Sequence, residues 1–276
     1  MSNRIENISL TALLKVAHEA GEAILDVYES DFTVEHKEDK SPLTLADRRA
    51  HEIIDSALTE LYPDIPILSE EGREIPFEER RAWPCLWLVD PLDGTKEFVK
   101  RNGEFTVNIA LIEKGEPVAG IIYIPVTKLF YFAKRGEGAF SRPYTRELDT
   151  MEEDETLCAG SERLPHTAAL NRPFTVVGSR SHMSKKTEEH INNLRKNHTE
   201  FNIISAGSSI KICMVADGRA DVYPRFGPTM EWDTAAGQAI VEGAGGCLVD
   251  ADSGKPFRYN RENLLNNSFI VKLKEE

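Results

Sequence analysis

Residues 85–98 read "CLWLVDPLDGTKEF". The apolar run from Cys85 to Val89 ends abruptly in two aspartates, Asp90 and Asp93, with Pro91 after the first and Gly94-Thr95 after the second. A short apolar run bounded by turn residues reads as a strand. Its end has two readings. Asp-Pro and Asp-Gly are ordinary turn dipeptides, because Asp caps its own backbone and Gly tolerates positive φ. Alternatively, the strand end presents two carboxylates to something positive, and the rest of the chain has to decide.

Around this strand the hydrophobic pattern changes period. Leu10, Leu13, Leu14, Ala17, Ala20, Ile24 and Leu25 fall on one helical stripe. A second helix covers residues 44–62, with Ile53, Ile54, Ala57, Leu58 and Leu61 inward, until Pro63 stops it. "IPILSEE" is a short strand ending in Glu70 and Glu71. Residues 105–140 hold three or four strands joined by "KGEP" and "RGEG", connections short enough for antiparallel pairing. Residues 142–172 are acidic and poorly periodic, and read as a linker or surface excursion. Beyond them strands and helices alternate from "FTVVGS" to "CLVDA", as in a mixed or parallel sheet with helices over it. The expected organisation is α+β over 1–143, an antiparallel sheet with two helices, then an irregular acidic connector over 144–172, and α/β over 173–276, a mixed sheet with helices.

The acids recur at the ends of these segments. Glu70 ends one strand, Asp90 and Asp93 end another, Asp47 lies in the entry to the second helix, and Asp233 opens the helix "DTAAGQAIVEGAG". Each has an ordinary explanation: a first-turn acid for Asp47, an N-cap for Asp233, a solvated loop end for Glu70. If the ends converge, about five negative charges share one pocket, at a large desolvation and repulsion cost. A hard divalent cation removes that cost. Mg²⁺ takes a few carboxylate oxygens together with waters and a substrate phosphate. These segments hold no histidine, and no cysteine apart from Cys85, which favours Mg²⁺ over Zn²⁺. A helix starting at Gly94-Thr95 would aim free N–H groups at an anion, and Thr95 adds a hydroxyl.

A second anion seat is written further on. Ser208 or Ser209 can cap the helix "SSIKICMVADG", Lys211 lies in its first turn, and Arg225 is near. The ordinary readings are a surface lysine for Lys211 and a loop histidine for His182. The overall charge is −13, from 33 basic and 46 acidic residues. Such a surface repels nucleic-acid polymers and anionic membranes, but it accepts a small anionic substrate received by cations or a local basic patch. The four cysteines form no C-x-x-C pair, and three lie in apolar segments, which suits reduced, buried thiols. The start, "MSNRIENISL", has no apolar signal core and no apolar run is long enough to span a bilayer, so the expectation is a soluble cytoplasmic protein with no transmembrane segment.

Taken together, "SPLTLAD", "SEE", "WLVDPLDGT" and "WDTAAG…VEGAGG" resemble the signatures of the inositol monophosphatase superfamily, in order and from about residue 10 to 250. Within it, "WLVDPLDGTKEF", "NGEFTVNIALI", "GSRSH", "GSSIK" and "YPRFGPT" resemble the bisphosphate nucleotidase branch; the inositol phosphatases typically have Thr and Asn where this chain has Lys96 and Glu97. The resemblance implies a layered αβαβα sandwich and a Mg²⁺-dependent, Li⁺-inhibited phosphomonoesterase using two or three metal ions. It implies Glu70, Asp90, Asp93, the Leu92 carbonyl and Asp233 as metal ligands. Asp47 and Thr95 would orient and deprotonate the attacking water. Glu70, Leu92, Asp93, Gly94, Thr95 and Asp233 would meet the substrate, with His182, Ser208, Lys211 and Arg225 on the rest of the nucleotide. The implied reaction converts adenosine 3′,5′-bisphosphate (PAP) to AMP, and also the phosphosulfate PAPS to APS, in sulfur assimilation. An inositol-1-phosphatase or related sugar phosphatase is the alternative within the superfamily, and a non-catalytic, metal-dependent nucleotide-binding protein the alternative outside it. The resemblance also suggests a homodimer and peripheral contact with the cytoplasmic face of the inner membrane.

Overall fold

The computed structural model describes residues 7–30, 42–166, 172–179 and 184–273. In chain order the helices are α1 (Leu10–Tyr28), α2 (Pro42–Leu61), α3 (Phe77–Arg80), α4 (Thr95–Val99), α5 (Glu147–Thr150), α6 (Asp154–Ala159), α7 (Lys185–Arg195), α8 (Ile210–Ala216) and α9 (Glu231–Gly243). The strands are β1 (Ile67–Ser69), β2 (Cys85–Asp93), β3 (Thr106–Glu113), β4 (Glu116–Ile124), β5 (Leu129–Lys134), β6 (Gly138–Pro143) and β7 (Glu162–Arg163) in one sheet. The second sheet is built from β8 (Phe174–Ser179), β9 (Phe201–Ala206), β10 (Val222–Arg225), β11 (Gly246–Asp250) and β12 (Phe269–Leu273). The seven strands of the first sheet lie in sequence order, and the second runs β11-β12-β10-β8-β9.

The apolar run that opens the argument is a strand buried on both faces, and this sets the layering. Successive residues of a strand point to opposite sides. Trp87 and Val89 pack with α1 and α2 in one core, while Leu86 and Leu88 pack with α8 and α9 in the other. The second core continues into β11, β12 and β8, and a smaller cluster of Val176, Ile191 and Val222 seats α7 on the far face of the second sheet. The result is helix, sheet, helix, sheet, helix: the αβαβα sandwich of a mixed α/β fold. Close approach of the central helix is permitted by glycine. A Cβ at Gly120 would lie 2.5 Å from the Ala236 carbonyl, and one at Gly237 would lie 2.6 Å from Ile212 Cδ1.

Three expectations change. The first sheet is mixed rather than antiparallel, because β1 runs parallel to β2. The last strand, β12, was not read from the sequence, although it pairs with both β10 and β11. The irregular connector is structured where it is described. It carries α5, α6 and β7, and β7 pairs with β6. Leu148 and Leu157 are in the first core. Its acids hid this, because one of them does structural work. Asp154 accepts hydrogen bonds from Leu10 N (2.8 Å), Thr11 N (2.9 Å), Ser9 Oγ and Thr11 Oγ1 (both 3.0 Å), so it satisfies the first turn of α1 from another part of the chain.

Asp154→Ala should therefore destabilise the fold by about 2 kcal/mol in urea unfolding near neutral pH. Burial raises the Asp154 pKa, but the donors from Thr11, Leu10 and Ser9 outweigh it and hold the carboxyl below its ordinary value. Its contribution is then present above the usual carboxylate range and lost as pH falls through the lowered pKa. The gap between parent and variant should close in acid.

Candidate active site

The acids converge at one end of the first sheet because β1 and β2 are parallel, so both strands finish at the same edge. The Glu70 N–H bonds to the Val89 carbonyl at 3.1 Å, placing Glu70 beside Asp90. The end of β2 is irregular. Asp90 pairs with Asn108 and Asp93 with Thr106, so three steps on β2 match two on β3. This bulge falls across Pro91 and Leu92, and Pro91 has no N–H to give the ladder. Without it, two residues three apart would point to opposite faces. With it, both face the same group of acids. Leu92 lies between them with its side chain in the first core and its N–H bonded to Asp90 Oδ1 at 3.1 Å.

Glu70, Asp90 and Asp233 each place a carboxylate oxygen within 4.8 Å of the others. Asp90 is 2% exposed, and Asp233 comes from the first turn of α9, where one of its oxygens accepts the Met230 N–H at 2.7 Å. Asp233 is thus a helix-start acid at the third position, not the N-cap, and a member of the cluster as well. Asp93 lies beside the three but outside that closest set. Its Oδ2 takes three donors: Ser208 Oγ at 2.6 Å, Ser209 N at 2.6 Å and Ser209 Oγ at 2.8 Å. Asp47 is buried in the second turn of α2, within the field of Glu71 and Glu70.

The electrostatics are those of unneutralised like charge. Glu70 keeps an exposed rim, but desolvation of its carboxyl against the other acids, with Asp93 and Glu71 next, pushes it up to about 7. Burial, with Glu71 and Glu70 next, pushes Asp47 up to about 8. Asp233 rises to about 8 through burial and then Asp93, and Asp90 is raised strongly by burial, Asp93 and Glu70. An all-oxygen donor set of this kind fits a hard divalent cation.

Next to the acids lies a cavity of about 270 Å³. Its wall includes Asp93, Gly94, Thr95, Ser208, Lys211, Arg225 and Asp233. Gly94 has φ +99°, and a Cβ there would come within 2.9 Å of the Glu104 carbonyl, so the turn between β2 and α4 requires glycine. Lys211 is no surface lysine: it is 5% exposed, its Nζ donates to the Ser208 carbonyl at 2.6 Å, and it stands over the Tyr223 ring. Arg225 is 9% exposed; it donates to the Pro228 carbonyl at 3.2 Å, and its Nε has no partner among the described residues. His182 lies outside the described residues. Neither Ser208 nor Ser209 caps α8 with its side chain, since both hydroxyls go to Asp93 instead.

Residues missed in the sequence complete the arrangement. Thr106 and Asn108 alternate on one face of β3 and meet Ser208 Oγ (2.6 Å) and Ser209 Oγ (3.0 Å). Two polar residues at a spacing of two inside the otherwise apolar "FTVNIALI" were the available signal. Arg80 and Glu231 are also buried. Glu231 accepts from the backbone N–H groups of Asn260 and Arg261 and from Arg261 Nε, while Arg80 donates to Asn260 Oδ1 and to the Arg261 and Glu262 carbonyls. Both hold the 260–262 loop against the start of α9.

With this geometry in place, the comparisons with known proteins decide the family. The model of the inositol monophosphatase family matches residues 7–275. The chain belongs to the inositol monophosphatase family. It is 45% identical over 265 residues to the 3′(2′),5′-bisphosphate nucleotidase CysQ of Salmonella typhimurium, covering 95% of this chain and 98% of that one. It superposes on the crystal structure of CysQ from Bacteroides thetaiotaomicron with a TM-score of 0.89 at 50% identity, over 96% and 97% of the two chains. An inositol monophosphatase from Thermotoga maritima superposes with a TM-score of 0.69 at 25% identity, over 94% and 90%. The family implies metal dependence, and the clustered carboxylates are its counterpart here.

A metal-free protein with these raised carboxyl pKa values should lose stability as pH rises. Glu70, Asp47 and Asp233 ionise near pH 4 when unfolded but near 7 to 8 when folded, so between those limits the folded state binds more protons. In a chelator, Tm should fall from pH 5.5 to pH 8. A divalent cation should raise Tm, and more at pH 8 than at 5.5. Asp90→Asn should raise the chelated Tm at pH 8 and reduce the cation-induced rise.

Proposed function

We propose that this protein is a Mg²⁺-dependent 3′(2′),5′-bisphosphate nucleotidase that removes the 3′ phosphate of adenosine 3′,5′-bisphosphate, leaving AMP. The observation that carries this reading is the pair of buried cations, Lys211 and Arg225, in the same cavity wall as Asp93, Asp233, Gly94 and Thr95. Two buried positive side chains beside a cation-binding cluster give one cavity two seats for phosphate. A monophosphate would leave one of them empty. The names of the full-length relatives agree with this reading.

Glu70, Asp90, Asp93 and Asp233, with the Leu92 carbonyl, would hold two or three Mg²⁺ ions. When bound, Mg²⁺ supplies charge neutralisation at the scissile phosphate and its leaving oxygen. The chain's own groups do the rest. The Gly94 and Thr95 N–H groups hold the phosphate under attack. Asp47, with the Thr95 hydroxyl, orients water and accepts its proton. Burial, with Glu71 and Glu70 next, raises the proton affinity of the Asp47 carboxyl above that of an ordinary carboxylate. Attack is in line, with no covalent enzyme intermediate. Lys211 and Arg225 receive the second phosphate, and Li⁺ would inhibit the reaction. PAPS, which carries the same 3′ phosphate, is also a substrate. No helix among the described residues is long and apolar enough to cross a membrane.

Phosphate release from adenosine 3′,5′-bisphosphate and from inositol-1-phosphate, with Mg²⁺ and with or without Li⁺, tests the assignment. The bisphosphate should be preferred, and Li⁺ should inhibit. A preference for inositol-1-phosphate would overturn the substrate. Lys211→Ala should raise KM for the bisphosphate about 10- to 100-fold, as expected for a lost charge-assisted contact, with a smaller effect on a monophosphate. Asp90→Ala should abolish turnover in a folded protein, and Thr95→Ala should reduce kcat more than metal affinity.

A further inference from the structure

The turn at residues 207–209 joins the two halves of the acidic cluster. Asp93 ends β2 and Asp233 begins α9, 140 positions later. Ser209 touches both: its Oγ lies 2.8 Å from Asp93 Oδ2 and 2.9 Å from the Asp233 carbonyl. The amide of Asn108 donates to the same oxygen at 3.0 Å. A hydroxyl has one proton and two lone pairs. Asn108 occupies the accepting side, so the proton is left to bridge the Asp93 carboxylate and the Asp233 backbone.

The rest of the turn supports that arrangement. Ser208 is held at φ 52°, a conformation unfavourable for a residue with a Cβ, by hydrogen bonds to Asp93 and Thr106. The Gly207 N–H donates to Glu104 Oε2 at 2.8 Å, and a Cβ at Gly207 would lie 2.5 Å from Glu97 Cγ. All three donors on Asp93 arrive at the same oxygen, Oδ2. This anchors one carboxylate oxygen, while Oδ1 accepts no hydrogen bond among the described residues and is the atom left to meet a cation. The donors are neutral, so they orient Asp93 without competing with a cation for charge. Ser209 is 3% exposed, and its hydroxyl is taken up by Asp93, the Asp233 carbonyl and Asn108.

We propose that Ser209 is a positioning residue for the cation site: its hydroxyl locks the Asp93 carboxylate to the start of α9, so that acids from both halves of the chain present their oxygens together. This rests on the reading that Glu70, Asp90, Asp93 and Asp233 hold divalent cations. Groups that orient metal ligands typically change metal affinity by 10- to 100-fold when removed.

The test is a calorimetric titration of Mg²⁺ into the full-length protein and into Ser209→Ala and Ser209→Thr, with kcat and KM measured alongside at saturating Mg²⁺. Ser209→Ala should bind Mg²⁺ 10- to 100-fold more weakly. Ser209→Thr, which keeps the hydroxyl, should return to within about threefold of the parent. KM for the nucleotide at saturating Mg²⁺ should be unchanged. Parent-like affinity in Ser209→Ala overturns the proposal. So does an equal loss in Ser209→Ala and Ser209→Thr, because packing rather than the hydroxyl would then be responsible. If Ser209→Ala does not fold, Asn108→Ala gives the same contrast by releasing the hydroxyl from its donor; weaker Mg²⁺ binding supports the role and unchanged binding overturns it. Absence of any Mg²⁺ binding by the parent is a different result, and it overturns the proposed function itself.

Discussion

Like charges crowded together, two of them buried, are the constraint on which the rest of this structure depends. Glu70, Asp90 and Asp233 bring their oxygens within 4.8 Å of each other, with Asp93 and Asp47 beside them. Such a group opposes folding unless protons or cations neutralise it. Its persistence depends on scaffold elsewhere: two extensive apolar cores, one on each face of the first sheet, and a central helix packed against bare backbone at Gly120. The stability gained there holds the acids in a place they would otherwise leave.

The arrangement separates two kinds of charge within a small volume. Carboxylates from β1, β2 and α9 form one side, while Lys211 and Arg225 form another side of the adjoining cavity. The lysine illustrates the balance. Burial pulls its pKa down to about 8, while Asp93, Glu97 and Glu104 pull it back up. The cavity therefore favours an anion with two charged ends, one met by cations on the acids and one by these side chains. The net charge of −13 is then no obstacle, because recognition is local.

Much of the site was legible because its chemistry is written at segment ends. Glu70, Asp90, Asp93 and Asp233 stand where an apolar period stops, and that is visible without coordinates. Asp154 was misread for the same reason reversed. An acid in an aperiodic stretch reads as solvent-facing, whereas here it satisfies the first turn of a helix more than 140 positions earlier. Ser208 and Ser209 read locally as caps for α8, yet both turn to Asp93, because a charged carboxylate outcompetes a helix end that has other ways to be satisfied.

The sequence by itself determined most of the strands and the longer helices, the acids at their ends, the metal class those acids suit, and the family the motifs resemble. Local pattern and residue chemistry are enough for each of these. Only the tertiary structure decided that β1 runs parallel to β2, that a bulge across Pro91 and Leu92 turns Asp90 and Asp93 to one side, and that Lys211 is buried rather than exposed. Strand direction, bulge position and burial depend on contacts between residues distant in the chain, and no local periodicity records them.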